Sequence, residues 1–246
     1  MKITIVIILI LLQVGSAQSQ SDIDAQEIVN RSIAFHGGDS YNDMHYSMDF
    51  RKYHLDVRYE NGVFSYERSY LDKNNIPIKS VFANTGLSHF INEEKSKIDK
   101  KQVDGIRESI NSQVYFALLP YHLNDGAVIK VLDGESVIEG KKYHRLIVTF
   151  NQEGGGQDFE DTFIYWIDQS DFSMDFLAYQ FHVNKGGYRF RKAYNTRRVG
   201  DIIFQDYVNY APTKTLSDVR ELESLYVTGQ LKELSKIELK DIKNLR

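Results

Sequence analysis

The chain has 246 residues, with 30 Lys or Arg and 34 Asp or Glu, which gives a formal net charge of −4 at pH 7. This balance excludes the strongly basic footprint of a nucleic-acid-binding protein. The sequence contains no cysteine, which excludes disulfides and a lipid attached to an N-terminal cysteine. Aromatic residues make up 13% of the chain, and Tyr and Phe side chains favour pleated, half-buried surfaces.

The N-terminus has the pattern of a secretory signal peptide. Lys2 supplies a short positive start, Ile3–Leu12 form an apolar run, and Gly15–Ala17 are small residues before a cleavage point. An N-terminal membrane anchor is the alternative, but the run is shorter than the roughly 20 apolar residues of a spanning helix. We expect residues 1–17 to be removed and residues 18–246 to form a single domain, periplasmic or secreted, with no transmembrane span.

A helix is predicted over residues 21–38. Ser21 or Asp22 is expected to cap its start, and apolar side chains recur near helical spacing. Gly37 and Gly38 are expected to end it, because glycine readily adopts the left-handed conformation that closes helices. His36 would then be a cation at the helix C-terminus, which the helix dipole favours.

The next stretch has the alternating pattern of strands. Apolar side chains occupy even positions from 44 to 50 and odd positions from 53 to 59, which predicts one long strand with a bulge or bend near Arg51 and Lys52. Asn61–Gly62 is a strong two-residue hairpin signal. Three further strands are predicted: 63–71, 77–84 and 87–92.

A second helix is predicted between residues 99 and 125. Ile106, Ile110, Val114 and Leu118 recur four residues apart on one face. Pro120 is expected at its end, because proline cannot continue the hydrogen-bond ladder. The C-terminal turns of this helix are apolar nearly all round, which indicates that they are buried, with the first group of strands as their expected partner.

Alternating residues in the second half of the chain predict a meander of antiparallel strands. Residues 127–134 begin it, and five runs with alternating aromatic and charged residues follow: 142–150, 158–168, 174–183, 187–199 and 201–210. After Tyr210 the pattern fits either two further strands or a strand and a helix. Strands in runs with separate helices indicate an α+β fold with a large, curved antiparallel sheet, wrapped over the N-terminal and central helices.

Five stretches carry a resemblance to a known group: AFHGGDSYNDMHYSMDFRKYH, GVFSYERSYLD, NSQVYFALLPYHLND, GGGQDFEDTFIYWID and GYRFRKAYNTRRVGDIIFQDYVNY. Together they resemble uncharacterised, exported Bacteroidetes-type proteins whose fold is similar to the lipoprotein carriers LolA and LolB. The resemblance implies a half-barrel of about eleven strands with helices in its mouth. In the carriers that cavity holds acyl chains. No functional residue carries over, because the resembling group has no established site.

Three charges interrupt the apolar alternation. Arg68, Asp161 and Asp206 each lie among apolar residues on the face predicted to be covered. A lone buried charge is costly, so we hypothesise that Arg68 pairs with one of the aspartates in a partly wet cavity, beside a ligand headgroup. The alternative is a structural ion pair, or a bulge that turns the side chain outward.

Apolar side chains are expected to line the remainder of the cavity. They come from the aromatic strand faces and from the central helix: Phe64, Tyr66, Phe163, Tyr165, Phe204, Val114, Phe116 and Leu118. A basic stripe of Arg189, Arg191, Asn195 and Arg197 is predicted on the outer face of its strand, opposite Phe190 and Tyr194. It fits anionic lipid headgroups or an acidic partner, or is simply a solvated face.

These patterns predict an envelope protein that binds an apolar or amphiphilic ligand, either a lipid or a lipoprotein acyl chain, as a carrier or chaperone. Contact with a membrane surface fits this role. A hydrolase-type envelope enzyme using the cluster of Arg68, Asp161 and Asp206 is the first alternative. A structural or partner-binding protein with a filled interior is the second. No residue spacing predicts a metal, a cofactor or a catalytic motif.

Overall fold

A computed structural model describes residues 23–153, 160–182 and 186–246. In its first half, helix α1 (Ala25–His36) precedes six strands: β1 (Asp43–Phe50), β2 (Tyr53–Glu60), β3 (Val63–Leu71), β4 (Pro77–Ala83), β5 (Gly86–Ile91) and β6 (Glu94–Lys95). Helix α2 (Lys100–Ala117) follows. The predicted signal peptide, the cap candidates Ser21 and Asp22, and residues 154–159 lie outside the described residues.

The second half contains eight strands and one helix: β7 (Val128–Ile138), β8 (Lys141–Phe150), β9 (Thr162–Asp168), β10 (Met174–Phe181), β11 (Gly187–Val199), β12 (Ile202–Pro212), α3 (Glu221–Val227), β13 (Leu231–Ile237) and β14 (Leu239–Asn244). The meander predicted between residues 142 and 211 is confirmed as β8–β12. The region after Tyr210, where two strands or a strand and a helix were expected, contains a helix and two strands.

The strands form two seven-stranded antiparallel sheets. The first has the order β14-β1-β2-β3-β4-β5-β6 and the second the order β13-β12-β11-β10-β9-β8-β7. Only Glu238 separates β13 from β14, so the chain passes directly from the edge of one sheet to the edge of the other. The predicted α+β fold with an open, curved antiparallel sheet is confirmed, with fourteen strands among the described residues where about eleven were expected.

The predicted bend at Arg51 and Lys52 is instead a tight hairpin turn. Phe50 pairs with Tyr53 across it, and Arg51 has a left-handed φ of 56°. In a two-residue hairpin, even positions of one strand lie opposite odd positions of the next, so the apolar face continues unbroken. A bend and a hairpin therefore produce the same shift in the sequence pattern. The Asn61–Gly62 hairpin is confirmed, with φ values of 50° and 87°.

Helix α1 begins and ends close to the predicted residues. Its N-cap is Asp24, whose carboxylate accepts a 2.7 Å hydrogen bond from the Glu27 amide. Gly37 caps the C-terminus with extended backbone, and the left-handed residue is Gly38, at φ 55°. The two glycines thus close the helix as expected, although only the second one uses the left-handed conformation.

His36 does not act as the predicted helix-end cation. Its side chain is fully buried, and Nδ1 lies 2.8 Å from the Ser32 carbonyl oxygen. Burial lowers the pKa of His36 to about 4, because the interior disfavours the charged imidazolium. The ring is therefore neutral at neutral pH, and the helix dipole does not outweigh its desolvation.

The C-terminal turns of helix α2 are buried, as their apolar pattern predicted, but they pack between the two sheets and not against the first sheet alone. A capping box fixes its start, with reciprocal bonds between Asp99 and Gln102. Val114 and Leu118 pack into the core of the first sheet, whereas Tyr115 and Phe116 pack against the second. Within the described residues no helix is long and apolar enough to cross a membrane.

Helix α3 covers the outer face of the second sheet. Trp166 and Phe190 are fully buried beneath it, and the Trp166 indole donates a 2.9 Å hydrogen bond to Glu223 of α3. Arg145 of β8 also donates to this carboxylate, at 3.0 Å. The middle strands of the second sheet are consequently buried on both faces, on one by α1 and α2 and on the other by α3.

A candidate ligand cavity between the sheets

A half-open cavity of about 360 Å³ lies between α2, the second sheet and the junction of the two sheets. Ser112, Gln113, Phe116 and Ala117 of α2 form one wall. Most of the remaining lining is contributed by strands β10–β12 and by the hairpin turn after β1. The volume falls in the range of about 300–1,000 Å³ found for small-molecule sites.

Aromatic rings form the apolar wall of this cavity: Phe50, Phe116, Phe163, Tyr179, Phe181 and Tyr207. Phe163 and Tyr179 stack with ring centroids 5.1 Å apart, and Phe116 lies 5.9 Å from Tyr179. The Tyr207 hydroxyl accepts a 2.8 Å hydrogen bond from Gln205, which also donates to the Met174 carbonyl. These contacts hold the wall in a fixed shape, because each ring is fixed by a neighbour.

Arg191 is the main cation of the cavity. Only 8% of it is exposed, and its guanidinium carbon lies 4.1 Å from the centroid of the Phe116 ring. Nη2 donates a 2.7 Å hydrogen bond to the Tyr179 hydroxyl, while Nε is buried with no hydrogen-bond partner. Across the described part of the chain, no carboxylate lies within ion-pair distance of Arg191.

Two further arginines and one aspartate share the lining. Arg189 lies 4.9 Å above the Phe181 ring, and Arg51 lies 5.2 Å above the Phe50 ring. Asp161 accepts a 3.1 Å hydrogen bond from the His182 amide, and the same oxygen lies 3.1 Å from His182 Nδ1. Among the described residues of the lining, three arginines therefore face one aspartate, so this part of the cavity has a positive formal charge.

Three of the predicted site residues line the cavity: Phe116, Asp161 and Phe163. The other apolar candidates lie in the packed core. Phe64, Tyr66, Val114, Leu118 and Phe204 belong to the cluster between α2 and the first sheet. Tyr165 is fully buried, and its hydroxyl lies 3.1 Å from that of Tyr115, which connects α2 to the second sheet.

Arg68 and Asp206 lie apart from the cavity lining. Arg68 donates a 2.7 Å hydrogen bond to Ser109 of α2 and lies 4.7 Å above the Tyr53 ring. Asp206 forms an ion pair with Arg197 at 3.1 Å, and a bulge in β11 lies beside this pair. Arg68 thus contacts the Ser109 hydroxyl and the Tyr53 ring, and Asp206 pairs with Arg197 of the neighbouring strand.

The pattern predicted that the basic stripe lies on the outer face of β11. In the structure, part of this stripe faces inward. Arg189 and Arg191 line the cavity, and the intervening Phe190 packs beneath α3, 4.5 Å from the Tyr226 ring. The alternation correctly placed the arginines and Phe190 on opposite faces. It did not show which face was internal, because α3 covers the outer one. Arg191 and Gln113 line the cavity, and neither was among the predicted cavity residues.

The described fold is LolA-like. A LolA-superfamily protein from Nitrosomonas europaea superposes with a TM-score of 0.52 at 11% identity, covering 90% of this chain and 93% of that one. A putative outer membrane lipoprotein-sorting protein domain from Vibrio parahaemolyticus has a TM-score of 0.47 at 7% identity, with 90% and 92% coverage.

The chain belongs to DUF6503, a family of unknown function, whose profile matches residues 2–239. None of the curated proteins compared with the chain matches it. At 11% identity the structural likeness concerns the fold alone, so the functional argument must come from the residues of the cavity.

Proposed function

We propose that this protein binds an apolar or amphiphilic ligand, such as a lipid or a lipoprotein acyl chain, in the cavity beside α2. The observation that carries the proposal is the 360 Å³ cavity itself, half-open and walled by aromatic side chains. A filled interior, which a purely structural protein would have, leaves no such space. Burial of apolar ligand surface at about 25 cal/mol per Å² would drive binding.

The cellular role that fits this site is that of a carrier or chaperone in the cell envelope. The signal-peptide pattern of residues 1–17 supports export, and the LolA-like fold supports an acyl-chain ligand by analogy with the carriers LolA and LolB. Ligand entry through the half-open side would occur near a membrane surface, where such amphiphiles are found.

The test is binding of a neutral, fluorescent apolar probe, together with native mass spectrometry of protein purified from its own envelope. Ser112 is an exposed residue of the cavity wall, so Ser112→Trp should block the cavity without disturbing the core. We expect at least about tenfold weaker probe binding, a loss of about 1.4 kcal/mol.

The matched control is Asn111→Trp, which adds the same side chain to an exposed neighbouring position outside the cavity lining. This variant should bind the probe as the unmodified protein does. Protein that contains no lipid and takes up no apolar probe would contradict the proposal. Equal loss in both variants would show that the probe binds elsewhere on α2.

A further inference from the structure

We infer that the cavity selects a single-chain amphiphile with an anionic oxygen headgroup and that Arg191 binds this headgroup. The inference rests on the proposed function and adds the chemical class of the ligand. A fatty-acid carboxylate and the phosphate of a monoalkyl lipid share this chemistry.

The first support is the cost of burying the Arg191 charge in the cavity wall. A buried guanidinium without an anionic partner has lost hydration that ring contacts and one neutral hydrogen bond replace only in part. Tyr179 accepts from Nη2 at 2.7 Å, and no described residue provides an acceptor for Nε. An oxyanion beside Arg191 would provide both the missing acceptor and the missing negative charge.

The second support is the way in which the guanidinium is held. Its carbon lies 4.1 Å from the Phe116 centroid and 5.1 Å from the Tyr179 centroid, so two rings and a hydrogen bond orient the planar group. An oriented guanidinium suits the two oxygens of a carboxylate or phosphate, because parallel N–H donors match them. Little side-chain entropy would then be lost on binding.

The third support is the remainder of the polar lining. Gln113 of α2 also has a buried atom without a partner, Oε1, and rotation of its amide would present an N–H donor instead. Arg189 and Arg51 add positive charge, whereas Asp161 opposes it. Within the described lining, three arginines against one aspartate leave an excess of two formal positive charges, which favours an anion over a neutral or cationic headgroup.

The cavity volume indicates how many chains the ligand has. About 360 Å³ lies near the lower end of the range for small-molecule sites. The apolar wall of Phe116, Phe163 and Tyr179 adjoins Arg191, so a headgroup at Arg191 would direct one chain along these rings. One acyl chain suits this space better than the two chains of a diacyl lipid.

The test compares three ligands of equal chain length by calorimetry at pH 8: dodecanoate, dodecyl phosphate and dodecanol. We expect both anions to bind at least about tenfold more tightly than the alcohol. The ratio of dodecanoate to dodecyl phosphate affinity identifies which source of the headgroup the site prefers. Dodecanol binding equal to that of both anions would overturn the inference and leave the proposed function intact, whereas no binding of any of the three would count against the proposed function itself.

The variants then test the assignment to Arg191. Arg191→Gln should lose the preference for anions while retaining dodecanol binding, which also reports that the cavity has folded. Arg191→Lys keeps the charge without the planar fork and should retain part of the preference. Arg198→Gln, an exposed position on the same strand, should behave as the unmodified protein does. An anion preference that persists in Arg191→Gln would overturn the role of Arg191.

Discussion

The carboxylate of Asp206 accepts a 2.9 Å hydrogen bond from the backbone amide of Leu239. Asp206 belongs to β12 of the second sheet, and Leu239 is the first residue of β14 in the first sheet. Arg197 donates to this carboxylate at 3.1 Å and also to the Leu239 carbonyl. These three residues, the seam, connect the two sheets at the point where the chain crosses between them.

Asp206→Asn should therefore weaken the connection between the sheets. The amide side chain can still accept from Leu239, but it removes the charge that pairs with Arg197. The Arg197 side chain is 26% exposed, which moderates the loss to about 1–3 kcal/mol of unfolding free energy. Urea unfolding measures this loss of unfolding free energy. Asp241→Asn makes the same change at an exposed position of β14 and should leave the midpoint unchanged; equal destabilisation by both would argue against a special role for the seam.

His36 should make stability depend on pH. Its folded pKa is about 4 and its unfolded value about 6.5, so the unfolded chain binds the extra proton between these values. The stabilisation is complete above pH 6.5 and is lost as the pH falls toward 4, by about 3 kcal/mol in total.

Unfolding free energies at pH 7.5 and pH 5 should differ less for His36→Gln than for the unmodified protein. His54 is exposed, and His54→Gln should retain the full difference. A pH dependence identical in all three proteins would show that His36 does not titrate as its burial indicates.

Two glycines should respond to alanine in opposite directions. A Cβ at Gly37 would lie 2.9 Å from Cε2 of Tyr41, a fully buried ring, so Gly37→Ala should cost about 1–3 kcal/mol through overpacking. Gly105 lies inside α2 with open space around it, and Gly105→Ala should stabilise by about 0.5–1 kcal/mol through helix propensity. Thermal unfolding of both variants distinguishes the effects, and a destabilised Gly105→Ala would contradict the open environment.

Arg68→Met should distinguish a structural arginine from Arg191, the arginine proposed to bind the headgroup. Burial lowers the pKa of Arg68, and its hydrogen bond to Ser109 and its position over Tyr53 offset part of that cost. The substitution removes the free-energy cost of burying the guanidinium charge, but it also removes these two contacts. The free energy of unfolding should therefore change by no more than about 1 kcal/mol. Affinity for dodecanoate should not change; a loss comparable to that of Arg191→Gln would place Arg68 in the binding site.

Local signals in the sequence predicted most of the elements but fewer of the site residues. Asn61–Gly62 and Gly38 act through their own backbone conformations, so neighbouring residues suffice to identify them. The buried state of His36 and the inward direction of Arg191 depend on packing by distant elements. Phe190 is an example. The sequence shows that it lies on the opposite face of β11 from Arg189 and Arg191, but only the position of α3 determines which of the two faces is internal.

If the cavity binds a ligand as proposed, the seam also limits which ligands fit without a change of structure. Ile237 and Leu239 both line the cavity, and they flank the single residue at which β13 becomes β14. The cavity wall is thus shared between two sheets, and its width follows the dihedral angle between them. A bulkier ligand would have to open that angle and stretch the bond between Asp206 and the Leu239 amide. Faster deuterium exchange at this single amide would then report ligand size.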